Sequence, residues 1–163
     1  MVGDEVYTAK IEFVLDTIAP VIITTGIESG EIYDAANKQM EIEIVDSTPT
    51  AIQLYLNGQL ISLSEEDAPL PEDSVWLVQD EITGIYTLNV TEQTALFSAQ
   101  DVKIQALDAA NNPAEAEVTE FTITTNWFVR FINSGWLLIL LAVLAAVIVL
   151  IIVVGKKKKK AAV

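Results

Sequence analysis

Carboxylates are what this chain offers to chemistry: it has 23 Asp and Glu and neither histidine nor cysteine. Without those two residue types there is no thiolate nucleophile, no Ser-His relay, and no nitrogen or sulfur ligand for zinc. Acids alone leave two chemistries. A pair of carboxylates held roughly 5–10 Å apart can hydrolyse a glycoside, and a group of carboxylate oxygens can hold a hard divalent cation such as calcium. The first needs long loops that build a cleft, and the regular spacing of turns along this chain supplies none, so no enzyme is expected. The densest acidic run, Ser64–Ser74 (SEEDAPLPEDS), carries five acids and two prolines and reads as a solvated loop, with calcium there as the alternative.

The charges are segregated. All 23 acids lie between Asp4 and Glu120, where only Lys10, Lys38 and Lys103 oppose them, giving that part a net −20; Arg130 and Lys156, Lys157, Lys158, Lys159 and Lys160 bring the whole chain to −14. A phosphate backbone would be repelled by such a surface, so no nucleic acid partner is expected.

The elements that must carry these residues fall into two physical regimes. From Trp136 to Val154 runs WLLILLAVLAAVIVLIIVV, without a charge, a proline or a polar side chain. As a helix these residues would span roughly 28 Å, about the thickness of a bilayer's hydrocarbon layer, and no polar stripe fits them to a protein core. Trp127, Phe128, Phe131 and Trp136 supply rings suited to a headgroup layer, with Arg130 snorkelling among them. Gly155 and five lysines follow, and the positive-inside rule keeps those lysines in the cytoplasm, which puts the acidic part outside. The opposite arrangement, a tail anchor with an acidic cytoplasmic domain, would send the lysines across the bilayer. Met1-Val-Gly-Asp-Glu has none of the features of a signal peptide, so the biological start is expected further upstream.

Between Val6 and Thr125 short, alternating, β-branched segments are broken every ten to fifteen residues by Gly, Pro, Asn or Asp, the pattern of an antiparallel sandwich. Strands are expected at about Val21–Thr25, Gln39–Val45, Ala51–Leu56, Leu60–Leu63, Val75–Val78, Gly84–Val90, Val102–Asp108 and Ala114–Thr124, seven or eight in all. Asn57-Gly58 suits a type I′ hairpin turn, and Asn111-Asn112-Pro113 should turn the chain between the last two strands. Alternation sends Ile42, Ile44, Ile104 and Ala106 to the core, and Trp76 in VWLV is expected there too. Trp76, Tyr33 and Tyr55 are the aromatic candidates for a glycan platform.

LDTIAPVI at Leu15–Ile22, NG at Asn57-Gly58, GIYTL at Gly84–Leu88, and VKIQALDAANNPA at Val102–Ala114 ahead of a closing FTITTN together resemble the tandem immunoglobulin-like repeats of large bacterial surface proteins, especially those of Gram-positive bacteria. The resemblance covers about residues 11–126, and Asn111 stands where those repeats often have glycine. It implies a fold: all-β, an immunoglobulin-like antiparallel β-sandwich over 16–126; the apolar run and its flanks add a juxtamembrane segment (127–135), a single transmembrane α-helix (136–154) and a polybasic cytoplasmic tail (155–163). Residues 1–15 would close a preceding repeat or form an N-terminal strand, since EFVLDT at Glu12–Thr17 echoes EFTITT at Glu120–Thr125.

The implied function is a spacer that displays upstream domains at the cell surface, anchored in the lipid bilayer; the alternative is an adhesin or receptor ectodomain that binds a protein or glycan. No L-P-x-T-G precedes Trp136, so the helix should remain as the anchor. Related repeats often stiffen their junctions with calcium, which points to Asp16 in the linker and Asp108 before the last turn as metal ligands; local Asx turns are the competing role for both.

Overall fold

A chain that alternates apolar and polar residues must form sheets with one face turned inward, and two such sheets bury each other. The computed structural model describes residues 15–48, 50–65, 69–93, 95 and 99–160, with side chains described as far as 152. It contains β1 (Val21–Thr25), β2 (Ile32–Tyr33), β3 (Asn37–Val45), β4 (Thr50–Leu56), β5 (Gln59–Ile61), β6 (Trp76–Gln79), β7 (Tyr86–Thr91), β8 (Gln100–Asp108), β9 (Pro113–Ile123), α1 (Trp127–Asn133) and α2 (Trp136–Lys160). One sheet has the order β1-β3-β7-β6 and the other β2-β9-β8-β4-β5. Lettered along the chain, these are sheets A-B-E-D and A′-G-F-C-C′, so the fold is an immunoglobulin-like sandwich with a C-terminal helical region.

Alternation works as expected along the central strands. Met40 and Ile42 of β3 are fully buried while Glu41 and Glu43 between and beyond them are exposed. In β8 Val102, Ile104 and Ala106 point inward. These meet Leu54, Leu88, Val90, Phe121 and Ile123 in one apolar core. Asn57 and Gly58 adopt φ of 52° and 78°, the paired left-handed conformation of a type I′ turn, and join β4 to β5. Asn111 also takes positive φ (68°), so it does the work of the expected glycine in the β8–β9 turn.

Three features differ from the sequence reading. First, β2 is a separate strand of two residues that pairs parallel with the end of β9. Two residues cannot show a periodicity; the strand exists because the chain crosses from one sheet to the other just before it. Gly26, at φ +91°, makes that departure from β1, and a Cβ there would stand 2.5 Å from the Gln39 carbonyl oxygen. Second, Trp76 is half-buried, with Leu77 taking the core position and the indole Nε1 donating to the Pro71 carbonyl (3.0 Å). Third, the juxtamembrane segment expected over 127–135 holds a helix of its own, α1.

Asn89, which begins a glycosylation-like Asn-Val-Thr, is 1% exposed and donates through Nδ2 to the carbonyls of Glu72 (3.2 Å) and Ser74 (2.8 Å). It therefore pins the far end of the acidic loop instead of carrying a glycan. The segment 1–15, expected to close a preceding repeat or form an N-terminal strand, lies outside the described residues except for Leu15.

Candidate functional site: three aspartates where the chain meets the sandwich

Strand register brings distant carboxylates to one pole. The pairing Val21↔Val45 sets the start of β1 against the end of β3, and Thr50↔Asp108 sets the start of β4 against the end of β8. Asp16 lies just ahead of β1, Asp46 just past β3, and Asp108 at the last position of β8. One carboxylate oxygen of each lies within 4.8 Å of the others. Asp108 is 4% exposed, and the other two are half-buried.

Each carboxylate is also fastened locally. Asp16 Oδ1 accepts from the Ile18 N–H (3.0 Å) and Oδ2 from the Ser47 hydroxyl (3.2 Å). Asp46 Oδ1 accepts from the Thr48 N–H (2.6 Å) and hydroxyl (2.7 Å). Asp108 Oδ1 accepts from the Asn112 N–H and Oδ2 from Asn112 Nδ2, both at 2.7 Å. The same Nδ2 lies 3.2 Å from the Asp16 carbonyl oxygen, which ties the incoming chain to the β8–β9 turn. Desolvation raises the Asp108 pKa, but hydrogen bonds from Asn112, Ala110 and Asn111 outweigh it and hold the group below the usual carboxylate range.

Local turns explain each aspartate singly; they do not explain why three segments far apart in sequence aim carboxylates at one point. Like charges at this separation repel, and the ion pairs among the described residues, which involve Lys103 and Arg130, do not reach the cluster. The donors are all hard oxygen atoms, the set that suits calcium or magnesium and not zinc or copper. Asp16 and Asp108 were legible in the sequence. Asp46 was not, although like Asp16 it is followed within four residues by a hydroxyl residue and a proline.

The aromatic group expected after the sandwich stands at the opposite pole, where β9 ends. Trp127 (69% exposed) and Phe128 (45%) lie outward on α1 with their rings edge to face, centroids 5.7 Å apart; Phe131 is half-buried and Trp136 opens α2 exposed. Arg130 pairs with Asp34 of the sandwich instead of snorkelling free, because α1 packs back on the domain through buried Val129 and Ile132. Glu92 clasps the same junction, accepting from the Thr125 N–H (3.0 Å) and hydroxyl (2.8 Å), bonds that hold its pKa below the ordinary 4.5. Among the described residues no single helix is long and apolar enough to cross a membrane; α1 and Trp136–Ile152 satisfy that requirement together, as a pair bent by 70°. The backbone of Lys156–Lys160 continues α2, and their side chains lie outside the described residues.

Among the described residues, several outer-face polar side chains are engaged with one another. Lys103 pairs with Glu115 (2.6 Å) and Glu117 (3.4 Å), Gln105 donates to Glu115 (3.0 Å), and the Tyr55 hydroxyl donates to Gln53 (3.0 Å) on the outer face of the β9-β8-β4 sheet. Tyr33 accepts from the Glu28 N–H through its hydroxyl (2.8 Å) and lies 5.1 Å below the Lys38 ammonium. The chain has no histidine or cysteine to act as base or nucleophile, and Glu115 is held in ion pairs and Glu92 in hydrogen bonds.

No protein-family model matches the chain, and no curated protein matches it. Among solved structures it is similar to the titin M3 domain, with 14% identity over 66% of this chain and 99% of that one and a TM-score of 0.45. It is also similar to the N-terminal Ig1-2 module of the Drosophila receptor protein tyrosine phosphatase DLAR, with 16% identity over 65% of this chain and 49% of that one and a TM-score of 0.46. Likeness at this level says nothing of activity or partner, and the fold assignment rests on the strand order and register above.

Proposed function

We propose that this chain is the membrane-proximal end of a bacterial surface protein: a non-catalytic immunoglobulin-like spacer, anchored by α2 with the sandwich outside and the lysines in the cytoplasm. One observation carries the reading. The chain comes in at the pole of Asp16 and leaves β9 at the other, as the pairings Leu107↔Pro113 and Gln100↔Phe121 require, passing directly into the helical region. A module whose two connections lie at opposite ends extends a stalk by its own length. The self-paired polar groups around Tyr55, Lys103 and Glu115 favour this over a glycan- or protein-binding face.

The topology is tested by expressing the chain behind a signal peptide. Protease added to intact cells should remove the sandwich and leave the helix in the membrane fraction. A protected sandwich beside an accessible lysine tail would reverse the orientation.

The aspartate cluster completes the spacer. In this reading Asp16, Asp46 and Asp108 share a calcium ion that fixes the incoming segment to the loops after β3 and β8, converting a hinge into a stiff joint. Calcium at one hundred times its dissociation constant should stabilise the folded state by about 2.7 kcal/mol over a chelated sample. Asp46→Asn, which keeps a side-chain oxygen for the Thr48 N–H and hydroxyl, should remove that gain while leaving the chelated melting temperature nearly unchanged. Equal melting with and without calcium, together with no heat on titration, would remove the ion from the account.

A further inference from the structure

We propose that α1 is a two-faced elbow that seats the sandwich on the bilayer surface, its inner face docked on the domain and its aromatic face in the lipid headgroup layer. The inference rests on α2 being the membrane anchor. A helix of seven residues does not hold its shape alone in water, so α1 must be held by what surrounds it. On the inner side the holding groups are visible. Val129 is 1% and Ile132 7% exposed, Arg130 pairs with Asp34, and Asn133 Nδ2 donates to the Thr122 hydroxyl (3.4 Å). The first turn is capped by Asn126, whose Oδ1 accepts from the Phe128 N–H (2.9 Å).

The outer side leaves Trp127 and Phe128 exposed as the largest apolar surface of the elbow. Gly135, at φ +77°, ends α1 and turns the chain by 70° into α2. If α2 stands near the bilayer normal, that bend lays α1 close to the membrane plane, at the depth where α2 enters the hydrocarbon. Aromatic rings there meet the apolar and polar parts of the lipid together, the environment that suits them best. The occupant is thus fixed by continuity with α2: the headgroup layer of the leaflet that the helix enters. A sandwich held in this way has one attitude to the membrane instead of swinging on a tether.

The test uses the whole chain in phosphatidylcholine vesicles, and because the chain has no cysteine, single cysteines carry a spin label without other changes. Labels replace Phe128 (Phe128→Cys), Leu144 in α2 (Leu144→Cys) and the fully exposed Ile82 (Ile82→Cys). Collision rates with oxygen, which enters lipid, and with a nickel chelate, which stays in water, report depth. Leu144 should read deep, Ile82 aqueous, and Phe128 between them at headgroup depth. A Phe128 label as aqueous as Ile82 while Leu144 reads deep overturns the elbow and leaves the anchor standing. An aqueous Leu144 overturns both. A Phe128 label shielded from both colliders means that protein covers the face, which also overturns the proposal. A second pair, Gln59→Cys with Phe128→Cys, should give one narrow distance distribution; a broad one means that α1 is not docked.

Discussion

Replacing Phe121 by alanine should cost the sandwich about 3–5 kcal/mol, the usual penalty for emptying a buried aromatic site. Phe121 is fully buried near the end of β9, paired with Gln100 and packed in the same core as Leu88, Ile104 and Ile123. The cavity can collapse only in part, because hydrogen-bonded ladders make each sheet a stiff wall. Against a typical folding free energy of about 5–15 kcal/mol, the variant keeps little of its stability. The measurement is the urea midpoint of the full chain in detergent. A loss under about 1 kcal/mol would mean that the two sheets are not packed around this ring.

A single aspartate at Leu144 should release the chain from membranes. Leu144 lies near the middle of the apolar run and is exposed on α2, so under the proposed anchoring lipid and not protein solvates it. Exchanging a leucine for an ionised carboxylate at mid-bilayer costs about 3 kcal/mol or more, on the order of a hundredfold in partition. Wild-type protein should resist an alkaline carbonate wash, and Leu144→Asp should appear in the wash with its sandwich still folded by circular dichroism. Equal retention of the two would mean that α2 is not dissolved in lipid. The sandwich itself would be unaffected, because its core shares no buried residue with α2.

Together with the calcium and elbow experiments, these results separate three layers that the chain superposes. Phe121 tests the fold, Asp46 tests the joint at the leading pole, and Leu144 tests the anchor. None of the three substitutions touches the residues on which another relies.

What the sequence determined by itself is whatever depends on neighbours along the chain. Alternation in MEIEI and VKIQA assigns faces without knowing the partner strand, because side chains in a strand point to opposite sides with period two. Asn57-Gly58 specifies its turn because both residues tolerate positive φ. The run from Trp136 is apolar by composition alone, and it forms the helix that its length predicts. Tertiary structure decided whatever depends on meetings across the sheets. Asp46 joined Asp16 and Asp108 only when the β1–β3 and β4–β8 registers placed three strand ends together. β2 took its two residues from the edge that β9 offered, and α1 became a helix because the sandwich supplied a surface for Val129 and Ile132 and an acid for Arg130. A short element has no periodicity to read and too few hydrogen bonds to stand alone, so its existence is settled by the surface on which it lands.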